Sequence, residues 1–255
     1  MTEPRPLSAQ GVIVFGGTSG IGLAAAKAFA AEGSRCLVVG RDMTRGRQAA
    51  AEIGSDAAFE QADCTDPTAV ADVVSSAVER LGRIDTCICS LGGNRLPELL
   101  FRQSLEDISA TVQLDLIPML LTARAVLGPM MEAGGGTILA VASDAGKLAT
   151  PGEAVIGANM AAIIQFIRTL ALEGKRNRVR ANVLTPSLVE GTPLTERLME
   201  EGRFSAKLFA KARPKADLGP TMPEDLAALA VFLASPAAAR ITGQAISVNG
   251  GISAA

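Results

Sequence analysis

The chain is 255 residues long, 48% apolar and 20% charged, with a formal net charge of −2. That length fits one large domain over 1–255 and leaves little room for a second. The slight acidity argues against nucleic acid as a partner, because no basic excess exists to neutralise phosphates.

The first ten residues, MTEPRPLSAQ, carry no apolar segment of the signal-peptide kind. No apolar run reads as long enough to span a bilayer, so no membrane partner is expected. Glycine-ended apolar residues at 11–15 predict a first buried strand. An Ala-rich helix is expected over 20–32, stopped by Gly33. Strand follows at 35–39, helix at 44–53 and a weaker strand at 57–62. Asp66-Pro67 opens a helix over 66–81, with Pro at an early position. A strand is expected at 85–90. A long helix runs over about 104–131, with Pro118 as a kink point. Strand 137–142, helix 152–174 and strand 179–184 come next, then helix 223–234 and a short last strand at 244–248. Mixed Gly, Pro and charged residues over 185–220 mark the least regular stretch, read as a flap over about 186–220.

Strands alternating with helices imply an α/β fold: a Rossmann-like doubly wound parallel sheet of about seven strands with helices on both faces. A ligand belongs at the carboxyl ends of the strands, near the switch point. Four cysteines, Cys36, Cys64, Cys87 and Cys89, include no C-x-x-C pair, and there is no His, so a Cys/His metal site has too few ligands and no metal is expected. Cysteines within apolar strands read as reduced core residues, which fits a cytoplasmic chain.

Between the first strand and the first helix lies Gly16-Gly17-Thr18-Ser19-Gly20-Ile21-Gly22. Glycines permit a tight turn and close backbone approach to a pyrophosphate. The helix start supplies amide donors, with Thr18 or Ser19 as its cap. An acidic residue about 20 positions later binds the ribose diol of NAD. Gly40 stands there instead, followed by Arg41. A guanidinium without a carboxylate favours the 2′-phosphate of NADP(H) over NAD(H). Asp42 blurs that reading, and Arg41 as a solvated loop charge is its alternative.

These residues resemble the short-chain dehydrogenase/reductases over essentially the whole chain. Gly16, Gly20 and Gly22 match the family's Gly-x-x-x-Gly-x-Gly, with Phe15 replacing the usual Thr. Gly82-Arg83-Ile84-Asp85, Val179-Arg180-Ala181-Asn182-Val183 with Pro186, and Ile241-Thr242-Gly243-Gln244 with Val248-Asn249-Gly250-Gly251 match further signatures, Asn249 standing for the usual Asp. The resemblance implies cofactor contacts from Ile21, from Asp63 and Cys64 near adenine, from Gly92 after the fourth strand, and from Pro186 and Thr192 near the nicotinamide. It also implies a small-molecule substrate and a homo-oligomer, dimer or tetramer.

The family's chemistry uses a Ser, a Tyr and a Lys four residues after the Tyr, placed on one helix face. Ser143 matches the Ser. Ile156 and Met160 hold the Tyr and Lys positions, and neither moves a proton. The enoyl-carrier-protein reductases, a divergent branch, place the Tyr seven residues before the Lys, and Glu153 stands there. Tyr and His are absent from the chain, so neither phenol nor imidazole is available. Glu153 could serve as a carboxyl raised by an apolar pocket, or be a first-turn Glu favoured by the helix dipole. Asp115 aligns with the family's Asn and reads as a base or as a structural acceptor. Asp144 and Lys147 follow Ser143 in a loop expected to border the pocket and read as surface charges, Arg95 beyond the fourth strand could meet an acidic or acyl-thioester substrate, and Cys89 reads as strand packing.

Three functions stay open from the sequence. The first is an NADP(H)-dependent oxidoreductase with a displaced proton source. The second is a non-redox isomerase, dehydratase or cyclase reusing the pocket. The third is a non-catalytic subunit in a hetero-oligomer with an active relative.

Overall fold

The computed structural model describes residues 5–93 and 95–254. The described residues form seven strands: β1 (Gly11–Phe15), β2 (Arg35–Gly40), β3 (Ala57–Gln61), β4 (Thr86–Cys89), β5 (Gly136–Val141), β6 (Val179–Thr185) and β7 (Ala245–Ser247). They form one sheet in the order β3-β2-β1-β4-β5-β6-β7, and every pairing is parallel. The order reverses between β1 and β4, so the crevice for a ligand opens at their carboxyl ends.

The helices are α1 (Gly20–Ala31), α2 (Met43–Ile53), α3 (Pro67–Leu81), α4 (Leu105–Thr111), α5 (Ile117–Glu132), α6 (Ala154–Gly174), α7 (Pro193–Leu198), α8 (Phe204–Ala212) and α9 (Pro223–Ala234). Side chains alternate across a strand. In β1, Ile13 and Phe15 join a cluster with Cys87, Val126 and Ile163, under α5 and α6. Val12 and Val14 join another with Phe29, Val38 and Leu226, under α1 and α9. Both faces are therefore covered, which is why these strands read as unbroken apolar runs.

Helix ends follow local chemistry. Asp66 accepts from the Thr68 N–H at 2.8 Å ahead of Pro67, and Gly82 ends α3 in the left-handed region. The C-terminal segment is tied to the sheet by β6. Buried Arg180 donates to the Leu233 carbonyl at 2.5 Å, the Thr137 hydroxyl at 2.8 Å and the Ile241 carbonyl at 3.0 Å. Asn182 donates to the same Ile241 carbonyl.

Three expectations are revised. The segment over 104–131 is the expected long helical rod, Leu105–Glu132, but its irregularity is a π turn at Val112–Leu116 between α4 and α5, just ahead of Pro118. By length and apolarity, Leu105–Glu132 (mean hydropathy 1.4) and Ala154–Asn177 (mean hydropathy 1.6) are each sufficient to cross a bilayer. Here both lie along the sheet, where Met119, Ala123, Ile163 and Ile167 bury their apolar faces in the core. The stretch over 185–220 is also more ordered than expected, since α7 and α8 lie within it.

Candidate nucleotide site and facing pocket

The glycine turn is built around two close approaches. Gly16 has φ +76°, and a Cβ there would run into the Ser90 carbonyl. A Cβ on Gly22 would run into the Gly16 carbonyl. The turn is held to the sheet by Gly16 N–H donating to the Val39 carbonyl at 3.0 Å. The start of α1 then stands at the mouth of the crevice, as an anion site requires. This cradle fits a dinucleotide pyrophosphate: backbone comes forward where side chains would block it. Ser19 holds the N-cap position of α1 but makes no side-chain cap bond, which corrects its expected role. Thr18 is buried and does not cap either. Its side chain covers Gly40, where a Cβ would lie 2.8 Å from Thr18 Cγ2.

Around the end of β2, Arg41 is exposed. Asp42 is the N-cap of α2 and accepts from the Arg45 N–H at 2.8 Å, so its carboxylate is engaged by the helix. Asp63 is held below the ordinary carboxylate value, first by the Thr65 backbone N–H and also by the Thr65 hydroxyl and the charge of Arg41, against a desolvation that raises it. Cys64 is buried, and burial pushes its thiol up to about 12. Its side chain packs in the core beneath the site.

The facing wall comes from five segments. Gly92, on the loop after β4, lies against Asp115, and a Cβ there would be 3.7 Å from Asp115 Oδ1. Asp115 is 2% exposed and sits in the π turn. Ser143 ends the loop after β5, where its hydroxyl accepts from the Ala145 N–H at 3.2 Å. That turn packs on α6: a Cβ on Gly157 would be 2.8 Å from the Ala145 carbonyl. Ile156 is half-buried and Met160 is 8% exposed, both within the apolar cluster. Thr192 caps α7 by accepting from the Thr195 N–H at 3.1 Å. A Cβ on Gly20 would lie 3.5 Å from Thr192 Cγ2, so the flap reaches the glycine turn. Pro186 is buried, and its carbonyl accepts from the Asp144 N–H at 2.9 Å.

Glu153 is the N-cap residue of α6 and half-buried. Burial raises its carboxyl above the ordinary value, opposed by a hydrogen bond with Thr150. A carboxyl raised on folding binds its proton more tightly in the native state. Stability is therefore full at low pH and falls as pH rises from the ordinary value of 4.5 through the raised one. In Glu153→Gln this contribution to the fall disappears. Thermal unfolding across a pH series above 4.5 should show a flatter profile than wild type, and an identical profile would exclude the raised carboxyl.

Asp144 and Lys147 are not surface charges, as their loop position had implied. Asp144 is 5% exposed and accepts from Ser247 at 3.0 Å, Asn249 at 2.5 Å and Ser253 at 2.8 Å. Lys147 donates to the Ser247 hydroxyl at 2.8 Å and the Ala245 carbonyl at 3.2 Å. Both clamp the C-terminal segment. Cys89 is fully buried, its sulfur 3.6 Å from that of Cys87 and 3.3 Å from the Thr122 hydroxyl.

Asn159 went unnoticed in the sequence. It is 3% exposed and donates to the Thr111 carbonyl at 3.1 Å, tying α6 to the residue where the π turn begins. A polar side chain inside the apolar run of α6 was the available signal, since buried amides need partners.

The chain is similar to known proteins over nearly its whole length. A family model described as Enoyl-(Acyl carrier protein) reductase matches residues 16–253. The chain is 34% identical over 251 residues to a 3-oxoacyl-[acyl-carrier-protein] reductase of Synechocystis, covering 96% of this chain and 98% of that protein. A solved structure described as a short chain dehydrogenase/reductase family protein superposes with a TM-score of 0.84 at 32% identity, covering 97% and 98%. The 3-ketoacyl-(acyl-carrier-protein) reductase of Brucella melitensis, solved with NADH, gives a TM-score of 0.87 at 29% identity, covering 96% and 98%.

Proposed function

This chain belongs to the short-chain dehydrogenase/reductase family, and from that premise we propose that it is an NADP(H)-dependent oxidoreductase of a small carbonyl or alcohol substrate, working with a rebuilt proton site. The observation that carries the reading is the glycine turn: a Cβ on Gly16 or Gly22 would strike the Ser90 or Gly16 carbonyl, so only glycine lets the backbone close this tightly ahead of α1, where a pyrophosphate would lie. Gly16, Thr18, Ser19, Gly20, Ile21 and Gly22 would hold the phosphates, Arg41 the 2′-phosphate, and Thr192 with Pro186 the nicotinamide end. Bound there, the nicotinamide supplies or accepts a hydride at the substrate carbon.

The residues facing it do the rest. Ile156 and Met160 occupy the positions of the family's Tyr and Lys, so they shape an apolar wall and move no proton. Ser143 donates its hydroxyl to the substrate oxygen. Glu153, Asp115 or water serves as the proton source, and loss of the usual general acid costs about 10²–10⁴-fold in rate. Exposed Ala158, Ala161 and Ala162 on α6 support close helix packing in a homo-oligomer.

The test is a titration of the whole chain with NADPH and with NADH, followed by nucleotide fluorescence and thermal shift, then a carbonyl panel monitored by NADPH absorbance. Tighter binding of NADPH with slow, substrate-dependent oxidation is expected. No binding of either nucleotide overturns the reading. Tight binding without oxidation favours a non-catalytic subunit, a reading supported by the absence of Tyr and His.

A further inference from the structure

A cavity of about 260 Å³ opens beside Ile156 and Thr111, between the loop after β4, the start of α4, the first turn of α6 and the flap. Its charge is not that of the chain. Arg95, Arg102, Arg197 and Arg203 line it against Glu98 and Asp107, an excess of two positive charges in a protein of net charge −2.

The four guanidinium groups differ in how firmly they are held. Arg95 pairs with Asp107 at 2.9 Å. Arg203 makes a two-point pair with Glu200, its Nε 2.6 Å from the carboxylate. Arg197 donates to the Gly93 carbonyl at 3.1 Å, which links the flap to the β4 loop. Arg102 is the loosest, 3.7 Å from Glu98, beyond hydrogen-bond reach, with its guanidinium 5.4 Å from the Phe101 ring centroid. A second cavity of about 300 Å³ shares Arg102, Arg203 and Glu98 and adds Lys207, so the positive lining continues outward from Ile156.

We propose that this cleft binds the carboxylate of an organic-acid substrate through Arg102 and Arg197, with the reacting carbon lying inward against Ile156. The inference rests on the reading of the facing pocket as a carbonyl or alcohol site, and it names the substrate class. A guanidinium fork matches a carboxylate in two parallel hydrogen bonds. The apolar wall beyond it suits the short carbon chain that joins carboxylate to carbonyl.

Isothermal titration tests it without requiring turnover. Pyruvate, acetoacetate and levulinate, their methyl esters and inorganic phosphate are titrated into the whole chain with and without NADPH. At least one acid is expected to bind ten-fold or more tightly than its ester, with affinity falling as salt rises. Arg102→Gln and Arg197→Gln should each remove most of that difference. Both residues are exposed, so the substitutions leave the core untouched. Equal binding of acids and esters, or binding of none, overturns the proposal. Phosphate binding as tightly as the acids with the same Arg dependence also overturns it, leaving a general anion site. Acid binding without NADPH oxidation would sustain the cleft while refuting the redox reading.

Discussion

Gly22→Ala should abolish productive nucleotide binding, lowering NADPH affinity by about 100-fold or more. Alanine is the better helix former by about 1 kcal/mol, so α1 itself is not weakened. The damage lies in front of it. The new Cβ would overlap the Gly16 carbonyl, and Gly16 is in turn pressed against the Ser90 carbonyl. Neither neighbour is a flexible side chain, so the turn must lift from the sheet. Two charge-assisted hydrogen bonds to pyrophosphate, each worth about 1.5–3 kcal/mol, would be lost together. Far-UV circular dichroism should stay that of wild type while the fluorescence titration fails. Unchanged NADPH affinity would remove the glycine turn from nucleotide binding.

Arg41→Gln should weaken NADPH by about 10–100-fold and leave NADH within about three-fold, since only NADPH carries the 2′-phosphate. Asp42 does not compete for that role, because its carboxylate caps α2. Gly40→Asp is not a route to NADH preference on its own, because its Cβ would meet Thr18 at 2.8 Å. Paired titrations of wild type and Arg41→Gln with both nucleotides read this directly. An equal loss for both would assign Arg41 to general phosphate attraction.

Sheet and helices were legible because two-sided burial writes itself as apolar runs and punctuated amphipathic stretches. β1 and α9 fall where the residues place them. The glycine turn was legible too, since only glycine tolerates its contacts. What escaped depends on partners distant in sequence. Thr18 looked like a cap and instead covers Gly40, 22 positions on. Asp144 looked like loop charge and is buried by Ser247, Asn249 and Ser253, more than 100 positions away. No local pattern announces such pairs. Asn159 lay between these cases: an amide in an apolar helix demands an acceptor, but only the fold shows that the acceptor is the Thr111 carbonyl.

The π turn at Val112–Leu116 carries a consequence for how such a pocket changes over generations. A turn of this kind takes up one more residue than an α-helix does over the same span. α4 and α5 are therefore out of phase by one position, about 100° of rotation. Asp115, which lies against Gly92, sits within that offset. Deleting a single codon within the turn would bring the two helices into phase and swing the carboxylate aside, with no substitution in any functional residue. At this wall of the pocket, gain or loss of a group is a matter of chain length as much as of side-chain identity.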